Sequence, residues 1–228
     1  MTLRNKRKDF GKIGVFTAYN ELNQILHKVN NCEIDKTCMD TIVSSQGTCR
    51  FSSTLFVDYP QIEKLAGEGT GDKILSKVVE NGIDVFLENH FSDSIQILAK
   101  GKSARIIRFI NSKYIQDNEF ITSYNVLLPE SNGSGAFDLF STPVISYPNE
   151  AFSDTFLAIG TFNTKEEAEN CMKYIKSKFA RAMLGVLKVT QHNPKSTWKF
   201  VPLQDFTINS DIDWSKSIAD IDRQLYAK

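Results

Sequence analysis

Between Thr164 and Val186 the apolar residues Ala168, Met172, Ile175, Phe179, Ala182, Met183 and Val186 recur at three- and four-residue intervals, the spacing that lines one face of an α-helix. Thr164 and Glu167 stand at the S/T-x-x-E separation of a capping box. Glu166, Glu167 and Glu169 crowd the first turns, where the helix dipole favours negative charge. The pattern predicts one long amphipathic helix, stopped before Pro194, with Lys173, Lys176, Arg181 and Lys188 on a separate basic arc. Leu22, Ile25, Leu26 and Val29 predict a shorter helix within 19–29. Ile74, Leu75, Val78 and Val79 predict another, ended by Asn81-Gly82, and Ile218, Ile221 and Leu225 predict a last one over 217–226.

Strand signals lie between these helices. "SIQILAKGKSARIIRFINSKYI" reads as a hairpin turning at Ala99–Lys102, and "IDVFLE", "YNVLLPE", "PVISYP" and "TFLAIGTF" read as short strands. "MDTIVSSQGTCRFSSTLFVDY" mixes turn residues with β-branched and aromatic ones and predicts irregular strands. The expected class is therefore α+β (mixed α/β): a small twisted sheet of short strands, a long amphipathic helix and a short C-terminal helix. The expected segments are a basic tail over 1–18, a strand-rich region over 19–162, and the long helix, a junction loop and a helical tail over 163–228.

Composition adds three constraints. With 41% hydrophobic and 24% charged residues, the 228-residue chain has the makings of a folded core. Lys+Arg and Asp+Glu both number 27, so only local patches can select a charged partner. Arg4, Lys6, Arg7, Lys8 and Lys12 make the start basic, whereas Asp205, Asp211, Asp213, Asp220 and Asp222 make the end acidic. Four scattered cysteines without zinc-ligand spacing, no signal-peptide pattern and no membrane-length apolar run predict a reduced, cytoplasmic protein with no membrane partner.

Signatures of chemistry are sparse. "GEGTGDK" over 67–73 departs from phosphate-loop spacing, with Asp72 before the lysine and Ile74 in place of the hydroxyl that binds Mg²⁺. No lysine follows an acidic residue at the two-residue interval frequent in metal-dependent nucleases, no histidine lies in H-E-x-x-H, and Gly-x-Ser-x-Gly is absent. No catalytic residue, cofactor site or metal site is predicted in this chain. What remains is an inventory for recognition. Arg105, Arg108, Lys113, Lys173, Arg181, Lys188, Lys195 and Lys199 offer cations for phosphate, with His192 among them. Asn132, Gln191 and Asn193 offer amides that match adenine edges. Trp198 is a candidate for stacking on a base.

The stretches "ARIIRFINSKYI", "NVLLPESNGSGAF", "PVISYP" and "TFNTKEEAENCMKYIKSKFARAMLG…KVTQ…FVPLQDF" carry a resemblance covering roughly 104–228, and "DTIVSSQG" over 40–47 extends it more loosely. They resemble the C-terminal target recognition region of bacterial restriction–modification adenine-N6 DNA methyltransferases, of the type IIG and related single-chain systems. The resemblance implies a module that binds double-stranded DNA for methylation or cleavage by a methyltransferase or restriction core, in the same polypeptide or a separate subunit. The family's Asn-Pro-Pro-Tyr motif is missing; "NPKS" over 193–196 keeps two of its residues. S-adenosylmethionine is thus expected in the missing catalytic part, and Mg²⁺ only where a nuclease is attached. Two alternatives stay open: a restriction endonuclease using Asp211, Asp213 and Glu130 for metal, and a module docking on a methyltransferase through Lys173, Arg181 and Lys188.

Overall fold

The computed structural model describes residues 37–131, 142–187 and 191–227. The basic tail, the helix expected within 19–29, Asn132 and Lys188 lie outside these residues. The described chain is α+β, with two three-stranded sheets and short helices. Helices α1 (Ser53–Asp58), α2 (Pro60–Ala66) and α3 (Ser76–Asn81) precede the hairpin β1 (Ser94–Lys100) and β2 (Arg105–Asn111). A single helical turn α4 (Glu119–Thr122) leads into β3 (Tyr124–Pro129), β4 (Val144–Ser146), β5 (Glu150–Phe152) and β6 (Phe156–Phe162). Helices α5 (Lys165–Lys176), α6 (Lys178–Gly185) and α7 (Ile218–Ala227) follow.

One sheet runs β2-β1-β5, with β5 parallel to β1; the other runs β4-β3-β6 and is antiparallel. The second sheet is dry on both sides. Leu127, Phe156 and Ala158 join one apolar core, with Ile62, Val78, Ile97 and Ile110. Val126, Leu128 and Ile159 join the other, with Tyr174, Met183, Trp198 and Ile221. Neighbouring strand residues point to opposite faces, so one strand feeds both cores. The cores interleave along the chain, and residue 162 marks a change from strand to helix rather than a boundary between them. Gly160, at φ +76°, sits where the β3–β6 register shifts, and a Cβ there would run into the Phe162 ring. It forms a bulge that only glycine makes without strain.

Three expectations are revised. "STLFVDY" is helical rather than strand, and Pro60 starts α2 in the N-terminal helical position where proline loses nothing. "IDVFLE" is a turn that touches β2 through a single bridge between Leu87 and Phe109. The long helix is two helices. Its start is as expected, with the Thr164 hydroxyl accepting from the Glu167 N–H and the Glu167 carboxylate from the Asn163 N–H. It breaks at Ser177, whose ψ of 152° is extended and whose hydroxyl caps Ala180. The cause is remote in sequence. Asp222 of α7 is buried and accepts from the N–H groups of Lys178 and Phe179, both at 3.0 Å. An external carboxylate takes over the donors that a fresh helix start leaves open, and its charge suits that end of the dipole.

Replacing Asp222 by Ala leaves two helix-start donors unmet and is expected to cost about 2 kcal/mol, lowering Tm by roughly 4–8 °C. Lys216→Ala, which removes only an exposed pair with Asp213, should shift Tm by no more than about 2 °C. Calorimetry on the two variants checks this.

Candidate nucleic-acid interface

The residues singled out for recognition divide by what their side chains already hold. Arg105 donates to the Thr142 carbonyl at 2.7 Å and lies 5.6 Å from the Phe156 ring centre. Arg108 pairs with Glu88 at 3.3 Å and donates to the Ile107 carbonyl at 3.0 Å. The Phe109–Leu87 bridge shows that β2 turns its odd-numbered backbone groups away from β1, so Arg108 covers an acceptor on an open sheet edge. Lys113 bonds Asp58 at 3.2 Å and sits over the Tyr114 ring. Lys173 donates to the Trp214 carbonyl and ties α5 to the loop before α7. Arg181 donates weakly to the Ser177 carbonyl at 3.4 Å. Among the described residues of the basic arc, the break at Ser177 puts Lys173 and Lys176 on α5 and Arg181 on α6, and Lys173 and Arg181 make these internal bonds.

Two further expectations change. Asn193 is buried, accepts from the Thr197 hydroxyl at 3.0 Å, and has no edge left to offer a base. Trp198 is 1% exposed and belongs to the second core, which rules it out as a stacking platform in this fold.

Lys195 and Lys199 behave differently. Both are exposed, and among the described residues neither makes an ion pair or a side-chain hydrogen bond. They line an open cleft of about 490 Å³ with Asp40, Ser45, Gln46, Glu130, Leu157, Pro194 and Ser196. Gln191 is exposed next to it in sequence but does not line it. His192 pairs through Nδ1 with both Glu130 carboxylate oxygens, at 3.1 and 3.0 Å.

The cleft is assembled from four segments distant in sequence, around 40–46, Glu130, Leu157 and 194–199. Asn193 N–H donates to the Glu130 carbonyl, and Ser131 bridges His192, so the chain after α6 zips onto the end of β3. The buried Trp198 then anchors the short 3-10 turn Lys195–Trp198, leaving the side chains of Lys195 and of the following Lys199 outside. The turn Met39–Thr41 is held beside it by the Met39–Val201 and Leu203–Thr37 backbone bonds. The Ser45–Gly47 turn is fixed on both sides. The Ser44 N–H donates to the Ala158 carbonyl on β6 at 2.8 Å, and the Ser44 hydroxyl accepts from the Ala158 N–H at 2.9 Å. Thr48 donates from its hydroxyl to the Ser45 carbonyl at 2.6 Å, and Asn118 donates to the Thr48 carbonyl at 3.1 Å. Gly47 has φ +68°, and the Lys73 stem lies where a Cβ would go.

Arg50, just beyond this turn, pairs with Asp72, which also accepts from Gln116 at 2.8 Å. Burial pushes the Asp72 carboxyl up, but the hydrogen bonds from Arg50 and Gln116 outweigh it and hold the group below the ordinary carboxylate range. Elsewhere, burial pushes the Cys49 thiol up to about 12 and raises Cys171 as well, so neither supplies a thiolate at neutral pH. Among the described residues no three His, Cys, Asp or Glu side chains are placed to hold a metal ion, and Asp211, Asp213 and Glu130 form no such group. No helix of the described residues is long and apolar enough to cross a membrane.

Sequence reading missed Asp40, Ser45, Gln46 and Ser196 as cleft residues. The signal available was Gln46-Gly47 itself, a polar side chain beside the residue type that tolerates positive φ.

A depressed folded-state pKa adds stability above the carboxyl's unfolded value, and that stability is lost as pH falls through the folded value. Asp72→Asn should therefore lower Tm at pH 7 and flatten the fall of Tm below pH 4, as read by thermal melts across pH 2–7. An acid limb as steep as that of the unaltered protein would show that the Arg50–Asp72 pair contributes nothing. The chain matches no known protein-family model and no curated protein.

Proposed function

We propose that the chain is a DNA-sequence recognition module of a restriction–modification system, gripping duplex DNA at the cleft between the Ser45–Gly47 and Lys195–Trp198 turns. The observation that carries this reading is the presence of two uncommitted lysines, Lys195 and Lys199, beside the hydroxyls of Ser45 and Ser196 and the amide of Gln46. Ammonium groups without a protein partner pay no cost of breaking an ion pair when they meet phosphate, and each contact releases condensed counterions. Hydroxyls and amides on the same cleft supply hydrogen bonds to sugar, phosphate or base edges. The resemblance of the quoted stretches within 104–228 to target recognition regions of adenine-N6 methyltransferases motivates the same reading. Methyl transfer or cleavage then belongs to a catalytic core that carries S-adenosylmethionine, or Mg²⁺ for a nuclease, and this chain supplies the grip.

The test is duplex binding by fluorescence anisotropy from about 25 to about 300 mM salt, over which the Debye length shrinks from roughly 20 to roughly 6 Å. Affinity should fall steeply with salt. The double variant Lys195→Ala/Lys199→Ala should lower the slope of log K against log salt by about 2, as the loss of two phosphate contacts requires. Arg108→Ala, whose charge is spent on Glu88 and the sheet edge, should leave the slope unchanged. A wild-type protein without duplex affinity at low salt, or a slope indifferent to both lysines, would overturn the proposal.

A further inference from the structure

Resting on the duplex-binding reading, we infer that Gln46 is the side chain that reads a base, and that adenine is the base it fits. Most amides of the described protein are spent internally. Gln116 holds Phe51 and Asp72, Gln96 holds Glu150, and Asn118 holds Thr48 while capping α4. Asn125 is buried on β3 and donates to Phe120 and Ser123, and Asn170 is buried and donates to Phe206. Gln46 is exposed, lines the cleft, and makes no hydrogen bond among the described residues.

Its backbone is the opposite of free. Ser44 is locked to β6 on one side, and the Thr48 hydroxyl closes the turn from the other. Between them Gly47 is buried and left-handed against the Lys73 stem. A pinned backbone removes the loop-ordering cost of contact and leaves only the Gln46 side-chain rotamers to be fixed when the amide meets an edge. The carboxamide offers one acceptor and two donors, and this pair matches the N6–H donor and N7 acceptor of adenine in the major groove. Guanine presents two acceptors there and leaves the amide oxygen facing another acceptor.

The charges around Gln46 fit the same division of labour. Asp40 lines the cleft from the turn that precedes Gln46, whereas Lys195 and Lys199 line it from the turn after β6 and the α5–α6 pair. A carboxylate repels phosphate, so the backbone is kept to the lysines and the base edge is left to Gln46. Glu130 is occupied by His192 and does not compete for the amide.

The experiment is selection from a randomised duplex pool with the full chain, followed by affinity measurements on the selected sequence and on its single-base changes. The unaltered protein should enrich an A·T pair at one position, and changing that pair should weaken binding about tenfold. Gln46→Ala should abolish the preference at that position alone, keep the salt slope of random-duplex binding, because a neutral amide releases no counterions, and leave Tm unchanged, since the side chain holds nothing in the fold. Gln191→Ala, an uncommitted amide outside the cleft, should keep the preference. Unaltered base preference in Gln46→Ala, or duplex binding by the parent protein with no preference at any position, would overturn the role of Gln46 and leave the duplex-binding reading standing. Failure of the parent protein to bind duplex at low salt would overturn both.

Discussion

The alternation of side chains along β3 and β6 is the constraint on which the rest of the molecule depends. Val126 and Leu128 face one core and Leu127 faces the other, and Ala158 and Ile159 divide in the same way. A slip of one residue would exchange the two sets and present each core with the wrong volumes. Register is therefore fixed from both sides at once, and the single irregularity between β3 and β6 is placed at Gly160, where the backbone accommodates it. Because Ser44 is bonded to Ala158 and Asn193 to Glu130, the two turns that make the cleft inherit their positions from this sheet.

That arrangement separates gripping groups from supporting ones. Arg105, Arg108, Lys113 and Lys173 meet carbonyls, carboxylates or aromatic rings of their own chain, and each connects segments far apart in sequence. Their charges hold the fold's edges and loops in place. Lys195 and Lys199 project from a turn whose Trp198 is sunk in the second core, so the scaffold is rigid while the ammonium groups remain in solvent. A buried tryptophan beneath exposed lysines is the same logic as Gly47 beneath Gln46: the backbone is fixed by what it buries, and the polar end is left for a partner.

The break between α5 and α6 shows how far local pattern carries. Thr164 and Glu167 announce the helix start because both partners lie within one turn of each other. Nothing in "KYIKSKFARAM" announces an end, since serine is tolerated in helices and no glycine or proline intervenes. The end is imposed by Asp222, over forty residues away, which competes for the N–H groups of Lys178 and Phe179. The reverse error occurs at "STLFVDY", where β-branched and aromatic residues suit a strand, but Leu55 is buried in the first core and the segment meets it as a helical turn.

The α+β class, the β1–β2 hairpin, the strands β3, β4 and β6, the capped start of α5 and the final helix are legible in the order of the residues. These follow from periodicity and capping, which act over a few residues and are written in neighbouring side chains. The partition of β3 and β6 between two cores, the break at Ser177, and the division of cations into spent and open arise from the packing of distant segments. Those outcomes depend on pairings such as Asp222 with Lys178, Ser44 with Ala158 and Asn193 with Glu130. A lysine's availability is a property of what lies within a few ångströms of it, and that neighbourhood is set by chain segments that no local spacing connects.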